Sequence, residues 1–196
     1  MQRIGPEESA RVLSIDIRAQ RIGYVVFEGP TRLLDWGGMR LQPSRRRTHS
    51  VDFLLKTFQP TVLVLRKRAQ GSARDSPMAR RATRIIRRKA TSMSVPSILI
   101  SNALTARLFR EYVKPTKSEI AGLIAACFPD LAWRLPPRRK VWNPEDWNMS
   151  LFDSAALGLA YFARWVDADT VAQLLKNPES FRRPVSVAQP DHGPPL

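Results

Sequence analysis

Two aspartates and a run of arginines are the residues of this chain with chemistry to offer. Asp16 lies inside Val12-Leu13-Ser14-Ile15-Asp16-Ile17, an aliphatic run that reads as a strand. A carboxylate among such neighbours costs free energy unless a cation or a hydrogen-bond donor meets it, so Asp16 marks a candidate site. The bland alternative is an Asx-turn leading into Ile17-Arg18-Ala19. Asp153 stands far down the chain in Ser150-Leu151-Phe152-Asp153, at the head of a helix rich in Ala and Gly. That spacing fits a capping box in which Ser150 caps and Asp153 answers it. Yet Asp153 also shares a side with Ala156, Leu157 and Ala160, the side that would pack on a sheet. Both readings of Asp153 stay open.

The arginines point to phosphate. Arg80, Arg81, Arg84, Arg87, Arg88 and Lys89 fall in one helical stretch without the acids at i+4 that an ordinary solvated face would interleave. Arg80, Arg84, Arg87 and Arg88 share broadly one side, suited to the phosphates of a duplex or junction. The net charge is +15, from 32 Lys and Arg against 17 Asp and Glu. Between Arg40 and Ala90 stand 15 basic residues against Asp52 and Asp75, so +13 of that excess is local. Arg45, Arg46 and Arg47 in an exposed loop and Arg66, Lys67 and Arg68 after a strand belong to the same patch. Such a patch attracts a polyanion, most often nucleic acid, through phosphate contacts and counterion release. Solubility or membrane-surface charge is the alternative.

Composition sets the frame. A chain of 196 residues fits one domain with a full core. The longest apolar runs, 61–65 and 121–128, are far too short to cross a bilayer. The first residues carry no apolar core of a signal peptide, and Cys127 stands alone, so neither a disulfide framework nor a cysteine metal site is expected. A cytoplasmic location is the default.

The elements follow from periodicity and punctuation. Strands are expected near 11–17, 21–28 and 31–41, with Gly37-Gly38 marking a bulge or a close backbone approach. A helix near 50–58 follows, then a buried strand at 61–65 ending in Arg66-Lys67-Arg68. Asp75-Ser76-Pro77 opens the arginine helix, and a fifth strand spans 97–101. Helices are expected at about 103–113, from the capping box Thr116-Lys117-Ser118-Glu119 to about 128, at 150–165 and near 168–176. A hairpin meander followed by βαβ crossovers gives an α/β fold, a five-stranded mixed sheet with helices on both faces. Right-handed crossovers put strands four and five beside strand one, order 3-2-1-4-5, with Asp16 mid-sheet. Residues 1–10 are expected to be a flexible end, 11–177 a single domain and 178–196 a Pro-rich disordered tail. The tryptophans of 133–147 read as cover for the core, with base stacking as the alternative, and His49 and His192 as incidental.

The stretches RVLSIDIRAQRIGYVVFEG and FDSAALGLAYF, with the Thr-Lys-Ser-Glu segment between them, resemble the ribonuclease H-like superfamily and within it the RuvC-type Holliday-junction resolvases. The similarity covers roughly residues 11–165. It implies a two-metal site for phosphodiester cleavage, with Mg²⁺ or Mn²⁺ held by acids on strand one, at the end of strand four and on the last helix. Asp16 and Asp153 match two of those positions. Strand four instead ends in Arg66-Lys67-Arg68, and Ser150 stands where a second helical acid is expected. Asp146 and Glu145, ahead of the helix, are candidate replacements. The resemblance therefore implies a metal-dependent, structure-selective endonuclease acting on branched nucleic acid, expected to be DNA, with a homodimer possible because two-fold substrates favour two-fold enzymes. The competing reading keeps the fold without the chemistry, a nucleic-acid-binding protein with Arg66 in the space of a metal ligand. An actin-like ATPase would need a second glycine-rich phosphate loop, and Gly37-Gly38 is the only glycine pair.

Overall fold

Alternation along the first strand divides the core into two layers. The computed structural model describes residues 10–18, 21–40, 49–68, 76–137 and 146–181. Strands β1 (Arg11–Ile17), β2 (Arg21–Glu28) and β3 (Leu33–Arg40) form an antiparallel meander. Helix α1 (His49–Phe58) leads to β4 (Val62–Arg66), which pairs parallel with β1, and α2 (Pro77–Ser92) leads to β5 (Ser97–Ile100), parallel with β4. The sheet order is β3-β2-β1-β4-β5, so β1 is central, as the crossover argument requires. Helices α3 (Asn102–Phe109), α4 (Lys117–Cys127), α5 (Met149–Trp165) and α6 (Ala168–Lys176) follow among the described residues, with short 3₁₀ turns at Pro129–Arg134 and Pro178–Phe181. Among the described residues no helix is long and apolar enough to cross a membrane.

Leu13, Ile15, Leu63 and Leu65 pack with α1 and α2 on one face, while Val12, Val62 and Val64 pack with α4, α5 and α6 on the other. Ser14 and Asp16 share the side of Val12, the α5 side. Helix α5 is the pillar of that layer. Every residue from Met149 to Phe162 is buried except Asp153. Its small residues permit close approach: a Cβ on Gly23 of β2 would collide with the carbonyl of Ser150, and one on Gly158 would collide with the Phe27 ring. Helix and sheet therefore lie in close contact at these two points.

Three expectations need correction. Helix α5 begins at Met149, two residues earlier than a Ser150 cap would require, and its N-cap Asn148 makes no side-chain cap bond. Ser150, 1% exposed, donates instead to the Trp147 carbonyl at 3.0 Å, so no capping box engages Asp153. The folded unit extends past 177, because Phe181 packs against the core. The bulge sits at Val26/Phe27 rather than at Gly37-Gly38, which pair regularly with Tyr24 and Gly23. The close approach predicted there is present, with Tyr24 packed over Gly37 and Trp147 over Gly38. Helix α2 starts as its sequence implies, Ser76 accepting from the Ala79 amide with Pro77 at the first position.

Candidate functional site

Asp16 and Asp153 converge because β1 and α5 are stitched together at their backbones. Ser14 Oγ donates to the Ser154 carbonyl at 2.7 Å, and Ser154 Oγ accepts the Asp16 amide at 2.9 Å. The Ser154 hydroxyl lies 2.7 Å from the Gly23 carbonyl and 2.8 Å from that of Ser150, so its proton has two acceptors. Both serines are fully buried. Each such bond contributes about 1 kcal/mol net, and leaving one member unpaired costs more. The register of α5 on the sheet is thereby fixed, and with it the position of Asp153 relative to Asp16.

Four cationic or polar side chains close around the carboxylates from separate elements. Arg18 leaves the end of β1, and Arg66 is the last residue of β4, the neighbouring strand. Asn102 opens α3 and Lys117 opens α4. Arg66 Nε donates to Asp16 Oδ1 at 2.6 Å, and Arg18 Nε to Asp16 Oδ2 at 2.9 Å. The same two guanidiniums reach across: Arg66 Nη2 lies 3.4 Å from Asp153 Oδ1, and Arg18 Nη2 donates to Asp153 Oδ2. Lys117 Nζ donates to Asp153 Oδ2 at 3.1 Å, and Arg66 Nη1 donates to Asn102 Oδ1. Each of the four carboxylate oxygens thus faces a cationic nitrogen, and two arginines bridge the aspartates.

The electrostatics follow from that geometry. Asp16 is 2% exposed. Burial works to raise its pKa, but the charges of Arg66 and then Arg18, with their hydrogen bonds, outweigh it and hold the carboxyl below the usual aspartate value. Burial works to lower the pKa of Arg66, and the charges of Asp16 and Asp153 outweigh that, so the guanidinium stays charged. The cluster holds two carboxylates against three cations, an excess of one positive charge. Amino ends of α3 and α4, where Asn102 and Lys117 sit, add positive potential.

This donor set does not fit a pair of divalent cations. Hard cations need several oxygen ligands each, and here the available oxygens already meet guanidinium and ammonium groups. Three nearby positive charges would repel an incoming one. Asp146 does not make up the deficit: its Oδ1 accepts the Asn148 amide at 2.7 Å, at the turn into α5. Among the described residues no three His, Cys, Asp or Glu side chains gather into a metal site. Glu145 and the loop arginines Arg45, Arg46 and Arg47 lie outside the described residues. Cys127, buried with its pKa pushed up to about 12, is no nucleophile at neutral pH.

The basic patch divides in two. Arg80, Arg81, Arg84, Arg87 and Arg88 are exposed on α2, opposite its buried Ala79, Ala82, Ile86 and Ala90. Lys89 turns aside to pair with Asp52 at 3.2 Å. After β4, Lys67 is exposed, whereas Arg66 is drawn into the carboxylate cluster and Arg68 donates to the Ile17 carbonyl. Trp133 and Trp147 are less buried than core cover would be, at 70% and 37% exposed, and Trp142 lies outside the described residues. Glu119 sits as expected, its amide donating to the Thr116 hydroxyl at 3.3 Å.

Arg18, Lys117, Asn102 and the two buried serines were not singled out by the sequence reading. Arg18 carries a signal, being two residues after Asp16 and so on the same strand face. Lys117 lies within the Thr-Lys-Ser-Glu segment, where the cap explains its neighbours and conceals its reach.

No family model and no curated protein matches the sequence. Solved structures do match. RuvC of Thermus thermophilus superposes with a TM-score of 0.57 at 18% identity, covering 79% of this chain and 95% of that one. The same protein in complex with its Holliday junction substrate gives 0.55 at 16% identity, covering 79% and 94%. The yeast mitochondrial Holliday junction resolvase gives 0.52 at 14% identity, covering 89% and 85%. These likenesses, with the strand order and the placement of the helices, establish that the chain has the ribonuclease H-like fold in the form shared with RuvC-type resolvases.

Proposed function

We propose that the protein binds nucleic acid, preferentially branched DNA, through its phosphate backbone and does not cleave it. One observation carries this reading: every carboxylate oxygen of the Asp16–Asp153 pair is met by Arg18, Arg66 or Lys117. In place of two bridging cations the fold has two bridging guanidiniums. A phosphate approaching this edge meets a surplus of positive charge, and the arginines of α2, on the other face of the sheet, offer further cations that grip backbone without reading sequence. Branched DNA is the favoured ligand because the resolvase structures of the same fold act on Holliday junctions. A two-fold junction would be matched by a homodimer of this chain.

The second reading is a metal-dependent endonuclease, favoured by the convergence of Asp16 and Asp153 at matching positions of a resolvase fold. It requires Mg²⁺ to displace two part-buried guanidiniums from the carboxylates. An end-labelled four-way junction incubated with the protein separates the two. Binding that survives EDTA, falls steeply with salt and leaves strands intact in Mg²⁺ or Mn²⁺ is the expected result. Metal-dependent nicking that disappears in Asp16→Asn would establish the second reading in its place.

A further inference from the structure

We infer that Trp147 is a stacking platform for an unpaired nucleobase, served by Arg21 and Arg40 as phosphate holders. The inference rests on the nucleic-acid reading and adds to it a preference for unpaired over fully paired strands.

Trp147 is held in place by the chain on either side. It stands in the Asp146–Asn148 turn, and its carbonyl accepts the Ser150 hydroxyl at the start of α5. Its indole Nε1 lies 3.1 Å from where a Cβ of Gly38 would be, so the glycine makes the room in which the ring edge rests. The ring is nevertheless 37% exposed. Arg21 and Arg40 lie over the ring, their guanidinium carbons 5.6 and 5.8 Å from its centre.

Two features of this arrangement call for an anionic, aromatic ligand. Arg21 and Arg40 are register partners on β2 and β3, so two guanidiniums stand side by side within reach of one phosphate. Both guanidiniums also converge on an indole that is itself 37% exposed. A base bearing a phosphate answers both features at once, by stacking and by charge.

The sheet register places this platform next to the carboxylate cluster. Asp16 pairs with Gly23, and Gly23 with Gly38, so all three lie on one row and face the α5 side. Two strand spacings separate Asp16 from the glycine under Trp147, about 10 Å. A strand whose backbone crosses the cationic cluster therefore brings a nearby base to the indole. Within a duplex both faces of each internal base are already stacked, so along a strand it is an unpaired base that can use the indole.

The test compares a single-stranded oligonucleotide with a blunt duplex of the same length, at fixed salt, binding to the wild type, Trp147→Phe, Trp147→Leu and Trp147→Ala. Single-strand affinity should fall about tenfold in Trp147→Ala and Trp147→Leu, the scale of one base–aromatic stack. It should survive in Trp147→Phe, while duplex affinity changes less than about twofold. Arg40→Gln should lower the salt slope for the single strand by about 0.7, one phosphate contact, whereas the tryptophan variants leave the slope unchanged. If Trp147→Ala does not fold, the Phe and Leu variants decide alone. Equal losses for both probes, or none for either, overturn the stacking site while leaving the binding reading in place. Failure of the wild type to bind either probe overturns both.

Discussion

Arginine does two different jobs on the two sides of this sheet. On the α5 side, Arg18 and Arg66 are each only 18% exposed and are committed to two carboxylates. On the α2 side, five arginines are exposed along one helix. The difference is what each element offers beside them. Helix α5 is apolar or small along its buried length except at Asp153, so a charge there must be neutralised from other elements. Helix α2 keeps its buried side to alanine and isoleucine and turns its arginines outward. Part-buried arginines thus hold the architecture of the site, while exposed ones set affinity for a polyanion and its dependence on salt.

The comparison is broken most severely by Arg66→Glu. The substitution removes a bridging cation and adds a third carboxylate, so stability should fall by about 4 kcal/mol, the scale of breaking a buried ion pair. Millimolar Mn²⁺ should recover part of that loss in a thermal melt, while leaving the wild-type melting temperature unchanged. A variant indifferent to Mn²⁺ would mean that Arg66 is not what separates this cluster from a cation site.

Asp16→Asn should cost about 3 kcal/mol at neutral pH by leaving guanidiniums short of a partner. It should also change the acid limb of stability. Because the folded pKa of Asp16 lies below its unfolded value, its contribution is present above the unfolded value and disappears as pH falls through the folded one. Urea titrations at stepped pH should therefore show a shallower acid loss in the variant than in the wild type. Identical slopes would contradict the assigned pairing.

Gly23→Ala tests the other half of the site, the close seat of α5. Its Cβ would meet the Ser150 carbonyl and lie 2.7 Å from the Leu151 amide nitrogen. Backbone cannot rotate away as a side chain can, so a loss of about 1–3 kcal/mol is expected on denaturant unfolding. The smallest stability effect belongs to the exposed face. Replacing Arg80, Arg84 and Arg88 by alanine should move stability by no more than about 0.5 kcal/mol per site. DNA affinity should nevertheless drop, and the slope of log K against log salt should flatten by about 0.9 for each phosphate that is no longer neutralised. Unchanged affinity would remove α2 from the binding surface.

Most of the fold could be read from the sequence because it follows from short-range signals. Alternation in Val12–Ile17 assigned Asp16 to one face, and the doubly buried run at 61–65 announced a central parallel strand. The order of strands then followed from crossover handedness. The site was legible only in part. Asp16 and Asp153 could be found because carboxylates on packed faces are costly, and Arg66 because it stands where an acid was expected. Arg18 and Lys117 were hidden by their length: a long flexible side chain reaches several ångströms from its backbone, and strand or helix period does not say toward what. Ser150 misled because a serine three residues before an acid satisfies the capping pattern wherever the helix in fact begins. Trp147 reads as apolar cover until the register of β2 and β3 places Gly38 beneath it.

The central claim is that guanidinium groups, not metal ions, bridge Asp16 and Asp153. Crystals grown with Mn²⁺, with anomalous scattering collected at the manganese edge, test it directly. The account predicts no anomalous peak between the two carboxylates, with Arg18 and Arg66 in contact with both. A manganese ion ligated by Asp16 and Asp153, with either arginine swung out to solvent, would contradict it.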